Sequence, residues 1–224
     1  MLELYGSGSL YNDEASNRLQ KITSESIDLV YTDPPYELNY QTNIPGDKRW
    51  NKTQQTNNRF EILENDTKGM INWKEIWEQL FRILKNDSFF FLHCNMPFIM
   101  NYGNDIITAG FKYKGCVAWN KNFAIGGGLK TTMKRDWEPI CYYSKGDAGF
   151  NSIEVIRNNK IVTRKRISEI QDWNFSLKTQ EKSGHPTQKP IQLAKQIINR
   201  NAILIEKSEK FCSIIEKRLL IRRT

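Results

Sequence analysis

The sequence predicts a doubly wound α/β domain with a mostly parallel sheet. Short runs rich in β-branched and aromatic residues recur along the chain, and segments whose apolar residues repeat with helical spacing alternate with them. Parallel neighbours need a crossover between them, and helices supply it. The length, 224 residues, suits one such core with a small appendage.

The strand-like runs are 27–31, 89–93, 114–119, 140–144 and 202–205. The clearest helix is 72–85, where Ile76, Trp77, Leu80, Ile83 and Leu84 fall on one stripe and Asn86-Asp87 supplies a stop. Further helices are expected at 96–109, 190–199 and 208–219. Pro190 suits a first helical turn, where a missing N–H costs nothing. Two stretches break the alternation: 39–58, rich in Asn, Gln and Thr, and 147–184, which is basic. The expected division is a catalytic part over 1–146, a target-recognition segment over 147–184, and a remainder of the same domain over 185–224.

Hydrophobic residues make up 39% and charged residues 26%, the balance of an ordinary folded protein. The formal charge of +8 permits a polyanionic partner, since neutralising phosphates releases counterions, but a generally basic surface has the same composition. Cys94, Cys116, Cys141 and Cys212 are widely spaced, which argues against a metal site or a disulfide framework. The first residues lack a basic start followed by an apolar stretch, and no run is long enough for a membrane span. A reduced, cytoplasmic protein is expected.

The chemistry concentrates in Asp33-Pro34-Pro35-Tyr36, directly after the first buried strand, where open α/β sheets hold their ligands. An exocyclic base amine is a poor nucleophile because its lone pair is delocalised into the ring. Two acceptors aimed at its N–H bonds draw the nitrogen toward tetrahedral geometry. Asp33 offers a carboxylate, Pro34 a main-chain carbonyl, and the fixed φ of proline pre-orients both. Tyr36 offers a ring face on which an extruded base can stack.

The run 27–36 resembles the catalytic motif of amino-methyltransferases, which move a methyl from S-adenosylmethionine to a base amine. The acidic first residue is mostly a mark of the adenine-N6 type. Tyr11-Asn12-Asp13 resembles the acidic turn that holds the cofactor adenine. Residues 137–145 resemble the strand beside the target base, with Trp137 where His is usual before Glu138. His185-Pro186-Thr187-Gln188-Lys189-Pro190 resembles the segment under the cofactor's methionine end. A block placed after the catalytic motif is the order of the β group of DNA methyltransferases. The resemblance thus implies a Rossmann-like methyltransferase fold acting on double-stranded DNA. It implies Asp33, Pro34, Pro35 and Tyr36 as catalytic residues, and Asp13, Thr32, His185, Thr187, Gln188, Lys189 and Glu206 as cofactor-binding ones.

The family also carries a strand and a glycine-rich loop after the helix that follows this block. Here residues 192–198 pass straight into 199–206, so the cofactor-binding half reads as incomplete. Gly6-Ser7-Gly8 stands too close to Thr32 for the strands and helices that would have to intervene, and no strand-to-helix pattern surrounds Gly126-Gly127-Gly128. Glu206 has two readings, a ribose ligand or an acid capping the helix that begins near Ser208. A homodimer, or a partner chain completing the cofactor site, is the assembly such a half calls for.

In related enzymes the region of 147–184 carries target recognition, and between Ile153 and Arg166 it holds five basic residues against one acid. Arg157, Lys160, Arg164, Lys165 and Arg166 are therefore candidate DNA contacts, although a solvated hairpin has the same pattern. Lys121, Lys130, Lys134 and Arg135 are candidates to extend the footprint. Three functional readings stand: a working adenine methyltransferase, a catalytically silent paralogue that binds DNA, and a degraded enzyme.

Overall fold

The computed structural model describes residues 8–37, 69–125, 133, 135–150, 153–157, 160–165, 168–170, 173–176, 188–197, 202–206, 208–209 and 212–213. Along the chain these form β1 (Gly8–Asn12), α1 (Ala15–Gln20), β2 (Ile27–Thr32), α2 (Trp73–Ile83), β3 (Leu84–His93) and α3 (Met96–Thr108). There follow β4 (Lys112–Ile125), β5 (Arg135–Lys145), β6 (Ile153–Arg157), β7 (Lys160–Lys165), α4 (Ile191–Ile197) and β8 (Ala202–Glu206). Every strand-like run read from the sequence lies within one of these strands. The reading does not include α1 and β1, and it has β6 and β7 only as the solvated hairpin set against DNA contact.

The main sheet has the order β2-β3-β5-β4. It is mixed: β2 and β3 run parallel, with Thr32 opposite Leu92, while β5 runs antiparallel to both β3 and β4. Among the described residues, β1 and β8 pair in a separate parallel sheet, with Asn12 opposite Glu206. β6 and β7 form an antiparallel hairpin.

Both faces of the main sheet are covered, as the alternation along β3 requires. Phe90 and Leu92 point into a core with Trp73, Trp77, Leu80 and Ile83 of α2 and with Phe98 and Ile106 of α3. Phe91 points the other way, into a core with Trp119, Ile140, Trp173 and Leu193 and Ile197 of α4. The arrangement is a Rossmann-like α/β fold.

The helix ends follow local chemistry. Asn72 caps α2 by accepting from the Glu75 N–H at 3.4 Å, and Asn95 caps α3 by accepting from the Phe98 N–H at 2.8 Å. Gly110 ends α3 with φ +111°, where a Cβ would meet the Phe81 ring at 2.8 Å. The expected stop of α2 at Asn86-Asp87 is corrected: the helix ends at Ile83, and Leu84 enters β3 directly with extended backbone. Asp87 lies within the strand at φ +54°, and its carboxylate accepts from the Asp147 N–H at 2.7 Å. Asn-Asp therefore marks an irregularity of a strand; aspartate tolerates the left-handed region better than most residues.

α4 spans 191–197 of the expected 190–199. At the expected 208–219 helix, Cys212 N–H donates to the Ser208 carbonyl at 2.9 Å, and most of the segment lies outside the described residues. The 39–58 stretch and Gly126 to Gly128 also lie outside them. Among the described residues no helix is long and apolar enough to cross a membrane.

Candidate active site at the carboxyl edge of the sheet

The ladder of β2 ends at Thr32 because the next residues cannot extend it. Pro34 and Pro35 have no N–H to donate, and each restricts the residue before it to extended backbone. Asp33 through Tyr36 thus leave the sheet at its carboxyl edge. Glu37 anchors the turn at φ +53°: its carboxylate accepts from Trp73 Nε1 at 2.9 Å, from the Gly69 N–H at 3.3 Å and from the Tyr102 hydroxyl. Glu37 is not among the sequence-read candidates.

Both oxygens of Asp33 are engaged. Oδ1 accepts from the Tyr36 hydroxyl at 2.7 Å, and Oδ2 lies 3.4 Å from Lys189 Nζ. Burial, then the Asp33 charge, pushes the Tyr36 phenol far up, which keeps it protonated as the donor. The Tyr36 ring stands 6.4 Å from that of Phe98.

A second carboxylate lies behind this one. Glu138 Oε2 is 2.8 Å from His93 Nε2 and accepts from Lys189 Nζ at 3.2 Å, while Oε1 accepts from Lys121 Nζ at 3.1 Å. His93 Nδ1 is 3.3 Å from the Tyr31 hydroxyl. With the Glu138 carboxylate as acceptor, the imidazole Nε2 carries a proton. Burial alone would raise the Glu138 carboxyl, but the His93 bond and the Lys189 and Lys121 charges hold it well below the usual carboxylate range. Burial would lower the Lys189 ammonium, and the charges of Asp33 and Glu138 reverse this and raise it.

The strands explain why these residues meet. Thr32 lies opposite Leu92, His93 opposite Ile140, and Trp119 opposite Glu138, so the end of β2, the end of β3 and the start of β5 share one edge. Lys189 arrives from the segment before α4, where Pro190 is buried and its carbonyl accepts from the Leu193 N–H at 3.2 Å.

Of the expected cofactor residues, Lys189 is thus placed against Asp33 and Glu138. Thr32 ends β2, and half-buried Gln188 precedes Lys189. Asp13 follows β1 and pairs with Lys21 at 3.3 Å, beside the strand that ends in Glu206. His185 and Thr187 lie outside the described residues. Of the expected DNA contacts, Arg157, Lys160, Arg164 and Lys165 lie on the β6–β7 hairpin, with Lys160 exposed, and Arg166 lies outside the described residues. The expectation that Lys121 extends the DNA footprint is corrected: its side chain is 7% exposed and its ammonium is committed to Glu138. Lys130 and Lys134 lie outside the described residues, and Arg135 begins β5.

His93, Tyr31 and Glu138 are absent from the sequence-read candidates. Their signal is a polar or ionisable group at the end of an otherwise apolar strand, as in Phe89-Phe90-Phe91-Leu92-His93.

Residues 27–202 match a family model described as DNA methylase, of the N6/N4 methyltransferase kind. The chain is 22% identical over 255 residues to the Type II methyltransferase M.HinfI of Haemophilus influenzae, a match covering 94% of this chain and 68% of that protein. The fold is similar to that of M1.HpyAVI solved in complex with SAM, with a TM-score of 0.61, 18% identity and coverage of 94% of this chain and 98% of that one. It is also similar to the cytosine-N4-specific PvuII DNA methyltransferase, with a TM-score of 0.63, 13% identity and coverage of 99% and 90%.

Proposed function

Because this chain belongs to the N6/N4 DNA methylase family, we propose that it transfers a methyl group from S-adenosylmethionine to the N6 amine of adenine in double-stranded DNA. The observation that carries the reading is Asp33 at the carboxyl end of β2, with its carboxylate oriented at both oxygens. In this mechanism the Asp33 carboxylate and the Pro34 carbonyl accept the two N–H bonds of the amine. This pulls the nitrogen lone pair out of ring conjugation. Tyr36 presents its ring to the extruded base, which partly offsets the cost of unstacking it. The proton released from the methylated amine leaves through Asp33.

The cofactor's nucleoside end carries hydroxyls that donate hydrogen bonds, and acids at the carboxyl ends of adjacent parallel strands fit them. Asn12 opposite Glu206, with Asp13 next in sequence, supplies such a pair of acids. Asp13 and Glu206 would hold that end, and Thr32 and Gln188 would lie toward the methionine end. When bound, S-adenosylmethionine supplies an electrophilic methyl on a cationic sulfur.

The choice of adenine over cytosine rests on the acid at position 33, since serine is more usual there in the cytosine-N4 type. A second reading, a silent DNA-binding paralogue, draws on the separation of β1–β8 from the main sheet among the described residues. To separate these readings, purified protein is incubated with methyl-labelled cofactor and unmethylated DNA, and the digested nucleosides are analysed by mass spectrometry. N6-methyladenine is the expected product. N4-methylcytosine would overturn the choice of base. DNA binding without any methylated product would favour the paralogue.

A further inference from the structure

We propose that Lys189 is a positioning residue for methyl transfer, an ammonium bridge that ties the Asp33 carboxylate to Glu138 and fixes its orientation toward the target amine. The inference rests on the reading of Asp33 given above.

The bridge is short and enclosed. Lys189 Nζ reaches Asp33 Oδ2 at 3.4 Å and Glu138 Oε2 at 3.2 Å, and its side chain is 17% exposed. The ammonium also lies over two rings, 5.7 Å from the Tyr36 centroid and 5.8 Å from that of Trp119. Tyr36 holds one oxygen of Asp33 and Lys189 the other, so together they fix the plane of the carboxylate.

Glu138 is suited to anchor such a bridge, because three groups fix it in place: His93, Lys121 and Lys189. Its partner His93 is fully buried and oriented in turn by Tyr31. The relay Tyr31–His93–Glu138–Lys189–Asp33 links β2, β3, β5 and the segment before α4 to the catalytic turn. The two carboxylates, Asp33 and Glu138, face the two ammonium groups of Lys121 and Lys189. Removing Glu138 would leave Lys121 nearly buried without its carboxylate and free Lys189 to collapse onto Asp33.

A purely structural ion pair would predict a loss of folding. A positioning bridge predicts a loss of turnover in protein that still binds both substrates. Steady-state methyl transfer is therefore measured for the wild type and for Lys189→Met, Lys189→Arg and Glu138→Gln, with thermal midpoints recorded alongside. In Lys189→Met, kcat is expected to fall about 100-fold, the scale of a misplaced reacting group, while the KM values for DNA and cofactor change little. Glu138→Gln is expected to lose less, and Lys189→Arg to recover part of the loss because it keeps the charge. An unchanged kcat in Lys189→Met, or losses in Met and Arg variants that track the thermal midpoint alone, would overturn the proposal.

A second measurement does not depend on turnover. In nitrogen–proton spectra of the lysine ammonium groups, Lys189 should give a slowly exchanging signal that vanishes in Lys189→Met and shifts in both Asp33→Asn and Glu138→Gln. If the wild type transfers no methyl, the functional reading fails, yet this signal still decides whether the bridge exists. Its absence, or its indifference to Asp33→Asn, would refute the bridge.

Discussion

The hydroxyl of Tyr36 donates to the carboxylate of Asp33, three residues earlier, at 2.7 Å. The same side chain therefore carries two separable contributions, a hydroxyl that orients the acid and a ring that can receive a base. Tyr36→Phe keeps the ring but removes the bond that orients Asp33, so it should lose part of kcat/KM, and less than Tyr36→Ala does. Tyr36→Ala should lose about 1–3 kcal/mol of transition-state stabilisation, the range for stacking one base on an aromatic ring. Methyl-transfer kinetics on one DNA substrate compare the two, and equal losses would contradict the stacking role.

Replacing Asp33 by alanine removes one of the two acceptors for the amine. By analogy with deletion of one preorganised group in an oxyanion hole, kcat should fall by about 10² to 10³. DNA affinity, measured by fluorescence anisotropy, should stay near the wild-type value. A parallel collapse in affinity would mean that Asp33 serves binding and not the chemical step.

Acid and alkali should act on the buried charges from opposite sides. The Glu138 carboxyl is held below the unfolded value of about 4.3, so its contribution to stability is present above that pH and is lost as pH falls toward the folded value. The Lys189 ammonium is raised above its unfolded value of about 10.4, so its contribution is complete below that pH and is lost as pH rises through the folded value. Thermal midpoints across acid pH should fall less steeply in Glu138→Gln than in wild type, and Lys189→Met should flatten the alkaline arm. Parallel curves would dismiss the linkage.

Phe90 is fully buried between the rings of Trp77, Phe111 and Tyr143. Phe90→Ala should cost about 3–5 kcal/mol, and Asn72→Ala, which removes the α2 cap, about 1 kcal/mol. Urea unfolding gives both values, and comparable losses would be at odds with the packing described.

The β6–β7 hairpin carries four of the candidate DNA contacts, Arg157, Lys160, Arg164 and Lys165. Lys160→Ala should weaken DNA binding to a similar extent across sequences and reduce the salt slope by about one. Binding titrated over a range of salt tests this, and an unchanged slope would remove the hairpin from the interface.

Much of the fold was legible because periodicity reports burial directly. The run Ile27-Asp28-Leu29-Val30-Tyr31-Thr32 is a strand, and the stripe Ile76, Trp77, Leu80 and Ile83 is the buried face of a helix. The turn from Asp33 to Tyr36 was legible as a turn because two prolines after a strand allow few conformations. β1 was not legible: Gly8-Ser9-Leu10-Tyr11-Asn12 is weak as a strand until β8, distant in sequence, lies beside it. The network behind Asp33, which joins Lys189 to Glu138 and His93, was hidden for the same reason. Glu138, His93 and Lys189 are far apart in the chain, and only the sheet register and the α4 junction bring their polar atoms together. The surface reading of Lys121 failed because a lone lysine in a polar stretch gives no sign of a buried carboxylate opposite it.

The pairing of β1 with β8 bears on the order in which the molecule assembles. α2, β3, α3, β4 and β5 are consecutive, and their contacts close shorter loops, so the part of the sheet that carries Glu138 can form early. β1 must wait for a strand whose register partner for Asn12 is Glu206. Closing so long a loop carries a larger entropic cost and slows folding. The acids proposed to hold the cofactor should therefore come together after the proposed target-base side has begun to form.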